Sequence, residues 1–182
     1  MKKSIFAASV LFITGFHQAK AQETPDDIVP GTYYQDHVIT NYTGTWKWTS
    51  GTDTFTIVLV KKKRNLTKFS VDVLSGGYRY VKNGVEVINT LNDVNIVDIN
   101  ATGSPKASLQ SAVRDGNGFL FNFTDKIYNN KWGHVHAVIT PAGNTYNFTW
   151  KLSGTGVHMS LPGDPPFQEG YSVPMDMVLV KQ

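Results

Sequence analysis

Residues 145–152 read TYNFTWKL, in which large apolar side chains alternate with polar ones. Successive side chains of a β-strand point to opposite faces, so this period of two predicts a strand with one buried and one exposed face. The turn-forming sequence PAGN precedes it at residues 141–144, and before that residues 135–139 (VHAVI) alternate in the same way. Two alternating segments around a short turn predict an antiparallel hairpin.

The same alternation extends outward from this hairpin over most of the chain. Asn-Gly at residues 83–84 is the strongest hairpin-turn signal, and Asn-Gly at residues 117–118 precedes another alternating segment. No segment has a clear helical period, and residues 94–99 are compatible with a strand of broken register. Every second residue is apolar in residues 55–59, 69–73 and 119–123.

These patterns place the chain in the all-β class, with roughly eight to ten strands joined mostly by short turns. The last strand is predicted at residues 173–180, with Met175, Met177 and Leu179 on one face. Successive strands joined by short turns pair as antiparallel neighbours and form a meander. Because sheets twist, a long meander curls, and closing the curl pairs the first strand with the last. We therefore predict a meander that closes into a β-barrel, with a β-sandwich as the alternative.

The N-terminal segment has the three parts of a secretory signal: two lysines, a short apolar run and a small-residue cleavage pattern that ends at Ala21. Its apolar run is shorter than the roughly 20 residues that span a bilayer. We predict a signal peptide at residues 1–21, an N-terminal arm at residues 22–40 and one barrel domain at residues 41–182. The mature protein is expected to have no transmembrane segment.

Export and charge restrict the possible partners. The chain contains no cysteine, which excludes a lipoprotein anchor and thiolate chemistry, so we expect a periplasmic or secreted protein. The chain has 17 Lys+Arg and 14 Asp+Glu, and the predicted signal contains Lys2, Lys3 and Lys20, which leaves 17 − 3 = 14 basic residues against 14 acidic ones. A mature net charge of zero argues against nucleic acid as a partner.

Aromatic residues are the candidates for ligand contact. The chain has 4 Trp, 8 Tyr and 10 Phe, most of which must lie in the core because large rings dominate packing. The loop at residues 161–170 is rich in proline and glycine, and it is either a lid over a barrel mouth or a stiff cap. The candidate ligand-binding residues are Trp48, Tyr78, Tyr80, Phe121, Trp150 and Phe167.

Metal and catalytic sites have weaker support. His134 and His136 share one strand face and are weak candidates for metal ligands, but a typical zinc site needs a third and usually a fourth ligand. We expect no metal and no cofactor. The nucleophile elbow and the zinc-protease helix motif are both missing, so the sequence leans against an enzyme without deciding the question. Trp132 shares its face with the two histidines rather than with the apolar core face, so it is the tryptophan most expected to lie outside the core.

Gly44-Thr45-Trp46 resembles the Gly-x-Trp motif that opens the first strand of lipocalin-like barrels. Residues 55–59, 78–85 and 174–181 extend the similarity, over most of the mature chain, to small exported lipocalin-like β-proteins of the Bacteroidetes group, a domain of unknown function. The resemblance implies a lipocalin-like barrel with Trp46 near its closed end, and bacterial export. It implies no activity.

Two functions from different classes follow from these observations. The first is a lipocalin-like barrel that binds a small apolar or amphiphilic ligand in its interior. The alternative is a non-catalytic protein-interaction or envelope-associated module whose barrel is filled with side chains. An enzyme is a third, unsupported hypothesis.

Overall fold

The computed structural model describes residues 29–104, 106–154 and 169–182. This part of the chain forms ten β-strands and two single-turn helices, α1 (Ile39–Tyr42) and α2 (Asp93–Ile96). The strands are β1 (Tyr33–Tyr34), β2 (Gly44–Ser50), β3 (Asp53–Asn65), β4 (Ser70–Lys82), β5 (Val85–Asn89), β6 (Leu109–Asp115), β7 (Gly118–Asp125), β8 (Lys131–Ala142), β9 (Thr145–Gly154) and β10 (Asp176–Lys181).

Eight of the strands form a closed antiparallel barrel in the order β4-β3-β2-β10-β9-β8-β7-β6. The last strand pairs with the first barrel strand, with Val180 opposite Lys47 and Lys181 opposite Trp46. Pairing of Ser75 with Gln110 joins β4 to β6 and completes the ring. The predicted all-β meander closing into a barrel is therefore confirmed, and the sandwich alternative is set aside.

Glycines with positive φ form the turns near both Asn-Gly pairs, but at the second pair the turn glycine is not the one in the pair. Asn83 and Gly84 have φ of 52° and 77°, the two positive values that a tight hairpin turn needs. At the second Asn-Gly pair the positive φ belongs to Gly116, while Gly118 already begins β7. A side chain at Gly118 would overlap the carbonyl oxygen of Ala137 on β8, so this glycine allows close strand approach rather than a turn.

The connection from β5 to β6 differs from the sequence expectation. Residues 94–99 do not form a strand; α2 and the loop after it cover the outer face of β4 instead. A Cβ at Gly77 would overlap the carbonyl oxygen of Thr90, so only glycine admits this close approach. Lys62 Nζ donates a hydrogen bond to the carbonyl oxygen of Val97 and ties the connection to β3. A segment that packs as a covering loop needs no period of two, which is why alternation there was broken.

The last strand begins at Asp176 rather than at residue 173. Pro174 has no backbone N–H to donate to a ladder, which disfavours regular pairing before it. Met177 and Leu179 are buried as predicted, whereas Met175 precedes the strand and is exposed. The expectation that all three share one face is therefore wrong for Met175.

One end of the barrel, which we call the plugged end, is filled by α1. Ile39 and Tyr42 are each 1% exposed, and the Tyr42 ring lies edge-on against Phe119 and Phe148, with centroids 4.8 and 6.0 Å away. The Tyr42 hydroxyl donates to the carbonyl oxygen of Asn117 at 3.2 Å. The plug therefore joins the segment before β2 to the turn between β6 and β7.

Before the plug, the N-terminal arm pairs with the start of β4. Tyr33 and Tyr34 form β1, which pairs in parallel with Ser70 and Val71 at the start of β4. The Ser70 amide donates to the carbonyl oxygen of Thr32 at 2.9 Å. The described part of the arm is thus held by a short strand pairing rather than by burial in the core.

Candidate functional site

The barrel interior is occupied by aromatic rings that touch one another from wall to wall. Phe55 on β3 contacts Trp150 on β9 (centroids 5.0 Å apart), and Trp150 contacts Phe123 on β7 (5.5 Å). Phe123 contacts Tyr78 on β4 (5.2 Å), and Tyr78 returns to Phe55 (5.8 Å). These four residues, which we call the ring circuit, fill the interior at this level because contacts between opposite walls leave no gap for a ligand between them.

The candidate ligand residues divide between core and surface. Tyr78 and Trp150 belong to the ring circuit and are fully buried. Phe121 packs on Phe148 at 6.3 Å, and Tyr80 packs on Phe55 at 6.2 Å, both also within the core. Trp48 is half-buried at the edge of the core. Phe167 and the rest of the loop before residue 169 lie outside the described residues.

Three buried side-chain atoms have no hydrogen-bond partner among the described residues: Ser75 Oγ, His134 Nδ1 and one that lies in the ring circuit. The last is the indole Nε1 of Trp150, whose ring makes T-shaped contacts with Phe55 and Phe123. A buried donor without an acceptor costs roughly 1–3 kcal/mol. The indole is therefore held in place by ring packing rather than by hydrogen bonding.

At the plugged end, a cation covers the tryptophan of the first barrel strand. Trp46 is fully buried, and its Nε1 donates to the carbonyl oxygen of Tyr42 at 2.9 Å. Lys181 Nζ lies 5.2 Å from the centroid of the Trp46 ring and donates to the carbonyl oxygen of Asn41 at 3.2 Å. Lys181 therefore places a positive charge over the face of this tryptophan. The sequence could not indicate it, because only the β2–β10 pairing brings Lys181 to Trp46.

The opposite end, which we call the carboxylate end, is organised by Asp125 at the end of β7. Its side chain is fully buried and accepts hydrogen bonds from the Ser172 amide and hydroxyl, both at 2.6 Å. It also accepts from the amides of Ile127 at 3.0 Å and Tyr128 at 3.3 Å. Asp125 thereby fastens the β7–β8 turn and the segment before β10 to one point. These hydrogen bonds all come from the chain itself, and the described residues bury the carboxylate completely.

The tyrosines near Asp125 are shifted away from ionisation. Burial, opposed by a hydrogen bond from the Lys126 amide, raises the pKa of Tyr78 far above its ordinary value. Burial also raises the pKa of Tyr171, and the charge of Asp125 adds to the effect. Both hydroxyls therefore stay protonated at neutral pH. Tyr171 uses its proton to donate to the carbonyl oxygens of Trp132 at 2.8 Å and Ser153 at 3.2 Å.

A second carboxylate, Asp72 on β4, holds the N-terminal arm. It accepts hydrogen bonds from the Tyr33 hydroxyl, from the Asp36 amide at 3.1 Å and from Lys61 Nζ at 3.4 Å. Burial acts to raise the pKa of Asp72, but the hydrogen bonds from Tyr33, Asp36 and Lys61 outweigh it and lower the pKa. The end of β3 carries four consecutive basic residues, at positions 61–64. One of them, Lys63, also contacts the arm, since its Nζ lies 4.5 Å from the centroid of the Tyr33 ring.

The outer wall at β7, β8 and β9 carries the most exposed tryptophan described. Trp132 is 50% exposed, and its ring meets that of His134 at 5.1 Å in an edge-to-face arrangement. His134 lies opposite Asn122 on β7 and Ser153 on β9. His134 and His136 are both half-buried on this outer face, and the described residues contain no group of three or more potential metal ligands. The sequence indicated the exposure of Trp132 through its position opposite the apolar face of the strand.

The fold and these sites define a closed antiparallel β-barrel with a packed aromatic interior, an apolar plug at one end and a buried carboxylate at the other. The chain belongs to DUF6705, a family of unknown function whose model matches residues 1–182. The expectation of a domain of unknown function is thereby confirmed. No curated protein and no solved structure matches the chain. Among the described residues, neither helix is long and apolar enough to cross a membrane.

Proposed function

We propose that this protein is a non-catalytic recognition module whose filled, lipocalin-like barrel is a rigid scaffold for binding at its surface. The observation that carries the proposal is the ring circuit, because Phe55, Trp150, Phe123 and Tyr78 touch across the interior. An interior ligand site in a barrel requires space between opposite walls. With that space occupied at this level, the surface is the better place for binding.

The use of the buried carboxylates supports a role without catalysis. Catalytic acids and bases sit in clefts within reach of a substrate. Asp125 is fully buried and accepts four hydrogen bonds from its own chain, and Asp72 accepts three. Each carboxylate holds a segment of backbone in position, which is a structural task.

We also propose that the module acts outside the cytoplasm of a bacterium, either in the periplasm or after secretion. The lysine pair, apolar run and cleavage pattern at residues 1–21 support export. Mass analysis of the protein recovered from its own host tests this directly. A mature chain that begins at Gln22 is expected, and an intact N-terminus would contradict export.

Native mass spectrometry of the same preparation tests the filled interior. We expect the mass of the polypeptide alone, since the ring circuit leaves no room for a retained molecule. Exposure to a fluorescent apolar probe such as an anilinonaphthalene sulfonate should give no emission increase from the folded protein. A stoichiometric small molecule that is released only on unfolding would overturn the filled-barrel proposal.

A second candidate, a small apolar or amphiphilic ligand inside the barrel, is favoured by one observation. The Nε1 donor of Trp150 is buried without a partner among the described residues and faces no acceptor of this part of the chain. A ligand with a polar group would satisfy it. In that case native mass spectrometry would detect the ligand, and Trp150→Phe, which removes the donor and keeps a ring, would weaken its retention.

A further inference from the structure

We propose that the outer face of β7, β8 and β9 around Trp132 binds a neutral oligosaccharide. This inference rests on the proposed function, since it gives the recognition module a site and a ligand class. The site consists of Trp132 and a row of four polar residues across neighbouring strands. We call this row the polar row, and its members are Gln110, Asn122, His134 and Ser153.

The polar row is defined by strand register. Gln110 lies opposite Asn122, Asn122 opposite His134, and His134 opposite Ser153. Neighbouring strands are about 4.8 Å apart, so the row runs about 15 Å around the convex outer wall of the barrel, and its end residues face different directions. A short segment of a few sugar units would therefore meet Trp132, His134 and the two residues next to His134, Asn122 and Ser153. The row contains two amides, an imidazole and a hydroxyl, which together can donate to and accept from sugar hydroxyls.

Trp132 supplies the surface on which a sugar ring can stack. The C–H groups on one face of a pyranose are apolar and pack against an aromatic face, while the hydroxyls around the ring need polar partners. Half of Trp132 is exposed, and its ring stands beside that of His134, the third residue of the row, from which Trp132 lies two positions along β8 toward the carboxylate end. An exposed tryptophan is a frequent energetic centre of a binding surface because it contributes a large contact area at little entropic cost.

The platform is rigid. The Tyr171 hydroxyl donates to the carbonyl oxygens of both Trp132 and Ser153, which fixes the backbone of β8 and β9 under the site. A Cβ at Gly133 would overlap that same hydroxyl, so glycine at this position lets Tyr171 reach the strand. The backbone of β8 is therefore held in place before a ligand arrives, which lowers the ordering cost of binding.

The side chain of His134 lowers the stability of the fold. Its Nδ1 is buried without a hydrogen-bond partner among the described residues. An unsatisfied buried nitrogen costs stability, and a β-branched residue would suit an outward strand position better. The side chain is half-buried beside the exposed Trp132, where its other ring nitrogen can serve a ligand.

Charge around the site favours a neutral ligand. Lys151 and Asp176 lie opposite each other on β9 and β10 next to the row, so their opposite charges offset each other. Lys131, the residue before Trp132, has its Nζ 5.1 Å from the centroid of the Tyr171 ring, which holds this cation against the chain's own aromatic side chain. Single-stranded nucleic acid also stacks on aromatic rings, but it needs a continuous positive groove. A protein partner would favour apolar neighbours around the tryptophan, whereas Trp132 lies opposite Thr124 on β7 and its ring contacts His134.

Affinity electrophoresis in native gels tests the proposal with named probes: soluble starch, mixed-linkage β-glucan, xylan and galactomannan. We expect at least one polysaccharide to retard the full-length protein, with a mobility shift that does not change between about 50 and 500 mM salt because no charge pairing is involved. Trp132→Ala should weaken binding by about tenfold or more. Trp132→Phe, which keeps a ring, should bind more tightly than Trp132→Ala.

The matched control is Tyr146→Ala, because Tyr146 is another exposed aromatic residue (42%) but lies at the plugged end on β9. It should bind like the unaltered protein. Circular dichroism of each variant checks that it folds. As a second readout, saturating sugar should protect the exposed tryptophan fluorescence from acrylamide, since Trp46 and Trp150 are already buried.

Three results would overturn the site assignment: no retardation by any of the four polysaccharides, equal retardation of Trp132→Ala, or retardation that disappears with salt. None of these depends on the barrel interior. The proposed filled scaffold fails separately, if native mass spectrometry of the same sample detects a molecule that is released only on unfolding.

Discussion

At the plugged end of the barrel, α1 fills the opening with Ile39 and Tyr42 over Trp46, whereas at the carboxylate end one buried side chain, Asp125, gathers the loops by accepting four hydrogen bonds. The first closure depends on apolar area and ring packing, which is non-directional and additive. The second depends on a single charged group with directional bonds. One barrel therefore closes its two ends by different interactions, and we expect substitutions at the two ends to reduce stability by different amounts and over different regions.

The largest effect is expected at the plugged end from Trp46→Ala. Loss of this fully buried ring removes its packing against Phe148 and leaves a cavity beneath Lys181. The free energy of unfolding should fall by about 3–5 kcal/mol, as large-to-small core substitutions do. Urea denaturation measures it. Trp48→Ala, two residues away on the same strand but only half-buried, is the control, and an equal loss in both variants would contradict the assigned role of Trp46.

A smaller but more local effect is expected at the carboxylate end from Asp125→Asn. The amide keeps the shape but replaces one acceptor oxygen with a donor, which faces the Ser172 amide in one orientation and the Ile127 and Tyr128 amides in the other. Stability should fall by about 1.5–3 kcal/mol, the range for hydrogen bonds to a charged group. Hydrogen exchange should show faster opening at Ile127 and Ser172 than at Tyr42. Asp176→Asn, at an exposed position, is the control and should change stability by less than about 0.5 kcal/mol.

The smallest effect is expected at a second buried carboxylate, Asp72 at the start of β4, which holds the N-terminal arm. Hydrogen bonds hold the folded-state pKa of Asp72 below its ordinary value of 3.8. A depressed pKa contributes stability above the unfolded-state value, and that contribution is lost as pH falls through the folded-state value. Exchange at the Ser70 amide, which bonds to Thr32, should therefore accelerate below about pH 4 relative to the core.

Asp72→Asn is the matched variant for this measurement. It should show fast exchange at Ser70 at neutral pH as well, with little further change on acidification. If acid leaves Ser70 protected in the unaltered protein, then the strand pairing of β1 holds the arm without help from Asp72.

The sequence predicts the wall of this barrel better than its closures. Alternation identifies the buried faces of β3, β7 and β9, because a period of two is a local property of a strand. It fails at α2, where the chain covers the outer face of β4 and has no reason to alternate. It also fails at α1, which is a single turn and too short to show a helical period.

For the candidate site residues, too, the sequence predicts the strand face on which a side chain lies but not its contacts with other strands. Alternation identifies Trp132 as outward, since its side of β8 is opposite the apolar one. The neighbours of His134 cannot be identified from sequence, because Asn122 and Ser153 come from other strands and reach His134 only through register. The same applies to Lys181 over Trp46 and to Ser172 on Asp125. Contacts between residues distant in sequence depend on the closed topology, which no local pattern contains.

The pairing of β10 with β2 has a consequence for how the chain folds. The residues that complete the barrel wall are synthesised after every other strand described, so a growing chain can form hairpins but cannot close its ring until β10 is present. Until then β2 and β9 each expose an unpaired strand edge, and such edges join readily to other chains. Removing residues 176–182 would make that temporary state permanent. The shortened chain is expected to self-associate along β2 and β9, so the final strand protects a newly made molecule from its own copies.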